Sequence, residues 1–399
     1  MMSLIIIIRN INVYKPEPIG VKDVLLMGDK IAAIEDKIDI NLNGVVEVKE
    51  IDGTGKILVP GFIDCHVHIL GGGGEGGFST RTPEATLSGF TTAGVTTVVG
   101  TLGTDGIARD MCALVAKAKG LEEEGITTYV YTGSYRLPLN TLTGEIMKDI
   151  MFIDKVIGIG EVAISDHRSS QPTFQEFIRA AADARVAGML SGKAGIVNIH
   201  VGDGPGKLEL LFRAVEETEI PITQFLPTHI NRNPELFEES IRYAKAGGYI
   251  DFTASEDPDF WEEQDGEVRF SKGLKRILEE GVSLDNFTLT SDGQGSLPIF
   301  NEKKEYVGIG VGKSTSLLIG IKDSVFNENI PLEIAIRAVT YNPAKILKLK
   351  GKGKIEKNYD ADLCLLDEKT LDIDTVIAKG RIMVENKKPI VFGTFEEHK

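Results

Sequence analysis

The stretch "PGFIDCHVHILGGGG", residues 60–74, joins an apolar run, two histidines and a glycine-rich turn. Residues 62–67 read as a β-strand. His66 and His68 stand two apart, so on a strand they project from the same face and can chelate one ion. A short apolar strand that closes on metal-type ligands and then meets a loop is what the catalytic rim of a parallel barrel requires.

Seven further apolar strands follow, at 95–100, 127–132, 156–164, 195–200, 224–229, 248–253 and 286–291, alternating with helical segments. That alternation predicts an α/β fold, a (β/α)8 TIM-like barrel. Two helices carry start and stop signals: "TPEATLSGFTTAG" has Thr82 as N-cap, Pro83 at the first helical position and Gly94 as terminator, and "NPELFEESIRYAKAGG" repeats the scheme with Asn233, Pro234 and Gly247. Residues 1–60 are short β-branched runs with turns, beginning with "LIIIIRN". After a helical segment from 330, "ADLCLLD" and "DTVIAKGRIMVENKKPI" return to strand. The expected division is a β domain from 1–60 and 350–399 beside a barrel over 61–349.

Composition narrows the function. Hydrophobic and charged fractions of 42% and 26% place the chain among ordinary soluble globular proteins, and no run of 18 apolar residues occurs. The opening "MMSLIIIIRNINVY" is too short for a membrane span and reads as a first strand. Cys65, Cys112 and Cys364 show no paired spacing, which fits a reducing cytoplasm. A formal net charge of −15 argues against nucleic acid or an anionic membrane as partner. An anionic substrate would therefore need local arginines.

Of six histidines, four close predicted strands: His66 and His68 in "FIDCHVH", His200 in "GIVNIH" and His229 in "FLPTH". Asp292 closes the eighth strand in "FTLTSD". A lone histidine at a strand end is more often a hydrogen-bonded structural residue. Five metal-type ligands converging on one barrel rim point instead to a metal centre, and imidazole with carboxylate suits zinc, with iron, manganese and nickel open by ligand type. Glu161, in "VIGIGEVAISDHRS", is an acid within an apolar strand and must be neutral, paired or metal-bound.

The chain resembles the amidohydrolase superfamily, and within it the isoaspartyl dipeptidases, through "GFIDCHVHILGGGGEGG", "TRTPE", "VVGTLGTDG", "TGSYRLP", "AISDHRS", "LPTHINRN", "TSDGQGS" and "ADLCLLD". The resemblance implies a β-sandwich built from both termini, two divalent metal ions in the barrel mouth, and a homo-oligomer, an octamer by family pattern. It implies that His66 and His68 bind the first ion and His200 and His229 the second. Asp292 would complete the first site and shuttle the proton, Thr104 and Ser296 would contact substrate, and Tyr135 would polarise the scissile carbonyl. The family pattern bridges the ions with a carboxylated lysine on strand four. Here the matching position is Glu161, while Lys155 and Lys193 lie at the wrong ends of their strands. The extra Gly160 predicts a bulge that turns Glu161 inward as the bridge, as a glutamate does in some deaminases of the superfamily. The alternative is a single metal, with Glu161 paired to an arginine.

In the rim loop "GGGGEGG", residues 71–77, glycines let the backbone approach a ligand and Glu75 can pair with an ammonium. Arg168 and Arg232 can take carboxylates, or alternatively form rim ion pairs. One acid with two arginines matches a β-aspartyl dipeptide, so the expected reaction is metal-dependent hydrolysis of its isopeptide bond. A cyclic-amide hydrolase, a deaminase and a non-catalytic metal-binding scaffold are the competing readings. Asp166 and His167 read as rim scaffold.

Overall fold

The computed structural model describes residues 5–39, 47–300 and 306–397; the first four residues of "MMSLIIIIRNINVY" lie outside them. Five strands precede the barrel: β1 (Ile5–Tyr14), β2 (Pro18–Met27), β3 (Lys30–Glu35), β4 (Val48–Asp52) and β5 (Lys56–Pro60). In β1, Ile6 and Ile8 face one apolar cluster while Ile5 and Ile7 face another, so the strand is buried on both sides.

The barrel strands are β6 (Phe62–Val67), β7 (Val95–Gly100), β8 (Thr127–Thr132), β9 (Val156–Ile164), β10 (Ile196–Val201), β11 (Phe225–Thr228), β12 (Ile250–Thr253) and β13 (Phe287–Thr290). Every expected strand is present to within two residues. β6 through β11 form one parallel sheet in sequential order, and β12 with β13 forms a separate parallel pair. Hydrogen bonds rather than full ladders bring the curled sheet round: Ile230 N donates to Asp251 O at 3.3 Å, and His68 N to Gly293 O at 2.9 Å. A hairpin of β14 (Ser296–Phe300) and β15 (Tyr306–Val311) follows at the rim.

The C-terminal strands β16 (Leu363–Asp367), β17 (Ile373–Ala378), β18 (Arg381–Glu385) and β19 (Lys388–Pro389) join the N-terminal ones in a nine-stranded sheet through antiparallel pairing of β16 with β5. Among the described residues no helix is long and apolar enough to cross a membrane.

One helix departs from expectation. The segment with Thr82 and Pro83 starts its helix only at Leu87 and runs to Thr91, with no side-chain cap. The Thr82 hydroxyl is taken elsewhere: it accepts from Gly72 N at 2.7 Å and donates to Gln294 O at 2.5 Å, so it clamps the glycine-rich loop. The second helix, Pro234–Lys245, follows the sequence signals, with Asn233 accepting from Leu236 N. The segment after 330 breaks into short helices at Leu332–Ala335, Ile336–Val339 and Tyr341–Ile346.

At the end of the barrel away from the histidines, the side chain of Lys352 is 3% exposed; its ammonium donates to Thr127 Oγ1 at 2.6 Å and contacts Asp360 Oδ2 at 2.8 Å and Asp362 Oδ2. It ties the start of β8 to the approach of β16. Lys352→Met leaves Asp362 buried without its cation and is expected to destabilise the fold by about 3–5 kcal/mol. Urea unfolding of both proteins measures this; a loss below about 1 kcal/mol would show that the network carries no net stability.

Candidate active site

Glu161 sits where β9 departs from regular pairing with β10. Ile159 pairs with Val197 and Val162 with Ile199, so Gly160 and Glu161 together oppose only Asn198. This is a bulge. Gly160 holds φ at 146°, and a Cβ there would lie 2.8 Å from Asn198 O, so only glycine fits. The peptide between Gly160 and Glu161 is cis.

The bulge turns Glu161 into the barrel, where it is fully buried. Its Oε2 lies 3.2 Å from His200 Nδ1, 3.3 Å from His66 Nε2 and 3.9 Å from His229 Nε2, and its Oε1 lies 3.4 Å from His68 Nε2. No arginine touches it among the described residues. Asp292 Oδ1 stands 3.1 Å from His68 Nε2 and 3.5 Å from His66 Nε2. Burial pushes the Glu161 carboxyl up, but the surrounding imidazoles outweigh it and hold the group well below the usual carboxylate range. Burial likewise lowers His66, yet the facing Glu161 and Asp292 carboxylates carry it up to about 10. His229 is brought down to about 3 by burial, which keeps its imidazole neutral.

Three of the imidazoles are oriented from behind. His66 Nδ1 meets Asn198 Oδ1 at 2.9 Å, His229 Nδ1 meets Thr253 Oγ1 at 2.7 Å, and His200 Nε2 meets Asp166 Oδ2 at 3.0 Å. Each therefore turns its other nitrogen to Glu161, as metal-binding histidines do. Among the described residues, buried His66 Nε2, Glu161 Oε1 and Asp292 Oδ1 have no hydrogen-bond partner, a cost that a cation would remove. Ligand atoms of His66, His68 and Asp292 lie within 4.8 Å of one another, as do those of His66, Glu161 and His229. The donor set fits divalent metal; His200 joins it through Glu161 rather than in either group. Asn198 and Thr253 escaped the sequence reading. Asn198 had a signal, since it shares a strand face with His200.

Above the centre lies a cavity of about 260 Å³ lined by His68, Glu75, Thr104, Tyr135, Arg168, His200, His229, Arg232, Asp292 and Ser296, with His66 and Glu161 buried beneath. Glu75 Oε1 accepts from Thr104 Oγ1 at 2.7 Å and from Arg168 Nη1 at 3.3 Å. Asp166 grips Arg168 through two parallel bonds, Nε at 2.9 Å and Nη2 at 2.7 Å, and is held far below the usual carboxylate range: burial opposes this, and His200 and Arg168 prevail. Arg232 lines the same cavity, and its buried Nε has no hydrogen-bond partner among the described residues. Tyr135 lies on the loop that follows β8, where it is buried and tied by its backbone to Gly103 O and Ala163 N. Its hydroxyl is 2.8 Å from His200 Nδ1, and burial pushes its pKa well above the ordinary value, so it remains a donor. His167 points outward, with 86% of its side chain exposed.

Residues 57–383 match the model of the amidohydrolase family. The chain belongs to that family. A solved β-aspartyl dipeptidase from the keratin-degrading thermophile Fervidobacterium islandicum AW-1, in complex with β-Asp-Leu dipeptide, is 48% identical, covers 98% of each chain and superposes with a TM-score of 0.89. More distant relatives include a deacetylase of Brucella anthropi, 23% identical over 87% of this chain and 80% of its own length. A dihydroorotase of Listeria welshimeri is 26% identical over 90% and 89%. This amidohydrolase brings the expected site residues into one place, around a carboxylate on a bulge.

Gly160→Ala should displace that bulge and weaken metal affinity by about tenfold or more, in the range seen when the support of a ligand is lost. Chelator competition on the metal-loaded protein reads this out, and wild-type affinity would show that the bulge does not place Glu161.

Proposed function

We propose that this amidohydrolase cleaves β-aspartyl dipeptides at the isopeptide bond. The observation that carries the reading is the placing of charge over the centre: Glu75 beside Arg168, with Arg232 in the same cavity. A β-aspartyl dipeptide presents one ammonium and two carboxylates, which these three side chains can meet. The solved dipeptidase that shares 48% of its sequence with this chain holds such a dipeptide. A neutral cyclic amide or a nucleobase would leave these charges unanswered.

His66, His68 and Asp292 would hold one divalent ion and His200 and His229 a second, with Glu161 between them and zinc the expected metal. Divalent ions there lower the pKa of water and polarise a carbonyl oxygen. Glu75 takes the substrate ammonium, Arg168 and Arg232 take the carboxylates, and Thr104 and Ser296 complete the contacts. The Tyr135 hydroxyl, kept protonated by burial, donates to the oxygen on which charge develops. Asp292 turns Oδ1 to the two histidines, leaving Oδ2 to accept the proton of the attacking water and return it to the leaving amine.

The same reading assigns 61–349 to catalysis, and 1–60 with 350–399 to a β-sandwich. Its support is that Ile6, Ile8 and Val24 from one end and Leu363, Leu365 and Ile377 from the other share one apolar cluster. A cytoplasmic homo-oligomer, an octamer by resemblance, completes the proposal.

On zinc-reconstituted protein, β-Asp-Leu is expected to be hydrolysed and α-Asp-Leu left intact. Preference for the α-linked peptide, or cleavage of neither, overturns the assignment. Asp292→Asn is expected to retain two ions per chain by elemental analysis while kcat falls by about a hundredfold or more. Near-wild-type turnover would remove Asp292 from proton transfer, and one ion per chain in the wild type would remove Glu161 as a bridge.

A further inference from the structure

Asp64 is fully buried two residues before His66, and no step above uses it. Its Oδ1 accepts from Ser291 N at 3.1 Å, and its Oδ2 accepts from Ser291 Oγ and from Ser314 Oγ, the latter at 2.9 Å. Ser291 Oγ in turn accepts from Gly293 N at 2.9 Å. The carboxylate thus grips the chain on both sides of Asp292, directly before it and through one hydroxyl after it. That grip matters because Asp292 holds φ at 48°, a left-handed conformation that disfavours a residue with a Cβ. The turn is further closed by Gly295 N donating to Asp292 O at 3.0 Å, and Gly293 O accepts from His68 N. Asp64 also lies where β13 and β6 lack a continuous ladder, so its bonds stand in for strand pairing at the closure of the barrel.

We propose that Asp64 is the positioning residue of Asp292: by binding Ser291 and Ser314 it fixes the left-handed turn that aims the Asp292 carboxylate at His66 and His68. The catalytic part of this inference rests on the dipeptidase reading; the geometric part does not. Ser314, which immediately precedes the helix Thr315–Phe326, makes that helix part of the same brace.

The test is a double-mutant cycle with two readouts, kcat on β-Asp-Leu and the rate at which a chelator strips zinc. Asp64→Asn replaces an acceptor oxygen with an amide that cannot accept from a serine hydroxyl. It is expected to lower kcat and to speed zinc release by about ten- to a hundredfold, with KM held within about twofold. In an Asp292→Asn background the same change should alter either readout by no more than about twofold, because its route of action is gone. An equal factor in both backgrounds, or a loss carried by KM, overturns the proposal. Ser314→Ala, which keeps Asp64 and removes one donor, should give a smaller fall of the same kind and decides the question if Asp64→Asn does not fold. A wild-type protein that cleaves no β-Asp-Leu would fail the functional reading, while the zinc-release cycle would still judge Asp64.

Discussion

A carboxylate sealed among four imidazoles is the constraint on which the rest of this structure depends. Glu161 is fully buried, and its two oxygens face His66, His200 and His229 on one side and His68 on the other. An anion in that position without partners would cost several kcal/mol. The partners arrive from three other strands, β6, β10 and β11, so the centre exists only if all four strands keep register. A slip of one residue in any of them would turn its ligand to the opposite face. The apolar packing of the barrel and the position of the metal-type ligands are therefore one specification.

The substrate side is coupled to that centre through Asp166. One of its oxygens accepts from the Arg168 backbone and Nε, while the other is shared between Arg168 Nη2 and His200 Nε2. The side chain that fixes an arginine over the cavity thus also holds the ring of an imidazole facing Glu161. This explains how a chain with a net charge of −15 can hold an arginine over a cavity that acids also line. The arginine is pinned by a buried acid rather than left to the field of the whole protein.

Much of this was legible because its signals are local. The parity of His66 and His68, the histidines that close strands and the β-branched runs each need only a few residues to be read. The bulge was read from Gly160 as an extra residue against the family pattern, and so came from the resemblance. What escaped depends on contacts distant in sequence. Thr82 has the residue type and neighbours of an N-cap, yet its hydroxyl is claimed by Gln294, 212 positions away, and the helix starts later. Asn198 and Thr253 are neutral polar residues whose roles appear only when His66 and His229 are set beside them. Asp166, read as rim scaffold, lies 34 positions from His200, and only the fold brings that imidazole to it.

A glutamate at the position where the resemblance implies a carboxylated lysine has a physical logic of its own. A glutamate is shorter by several bonds, so the backbone must come inward to let it reach, and a regular strand cannot do so without moving its neighbours. The bulge does this locally: Gly160 folds back against Asn198, and the pairing of β9 with β10 resumes at Val162. Asn198 is also the residue that orients His66, so the displaced backbone and the reoriented ligand meet at one side chain. Glu161 there carries a negative charge of its own, held well below the usual carboxylate range by the imidazoles around it. The glutamate and the bulge thus act together, and neither places a carboxylate between the histidines without the other.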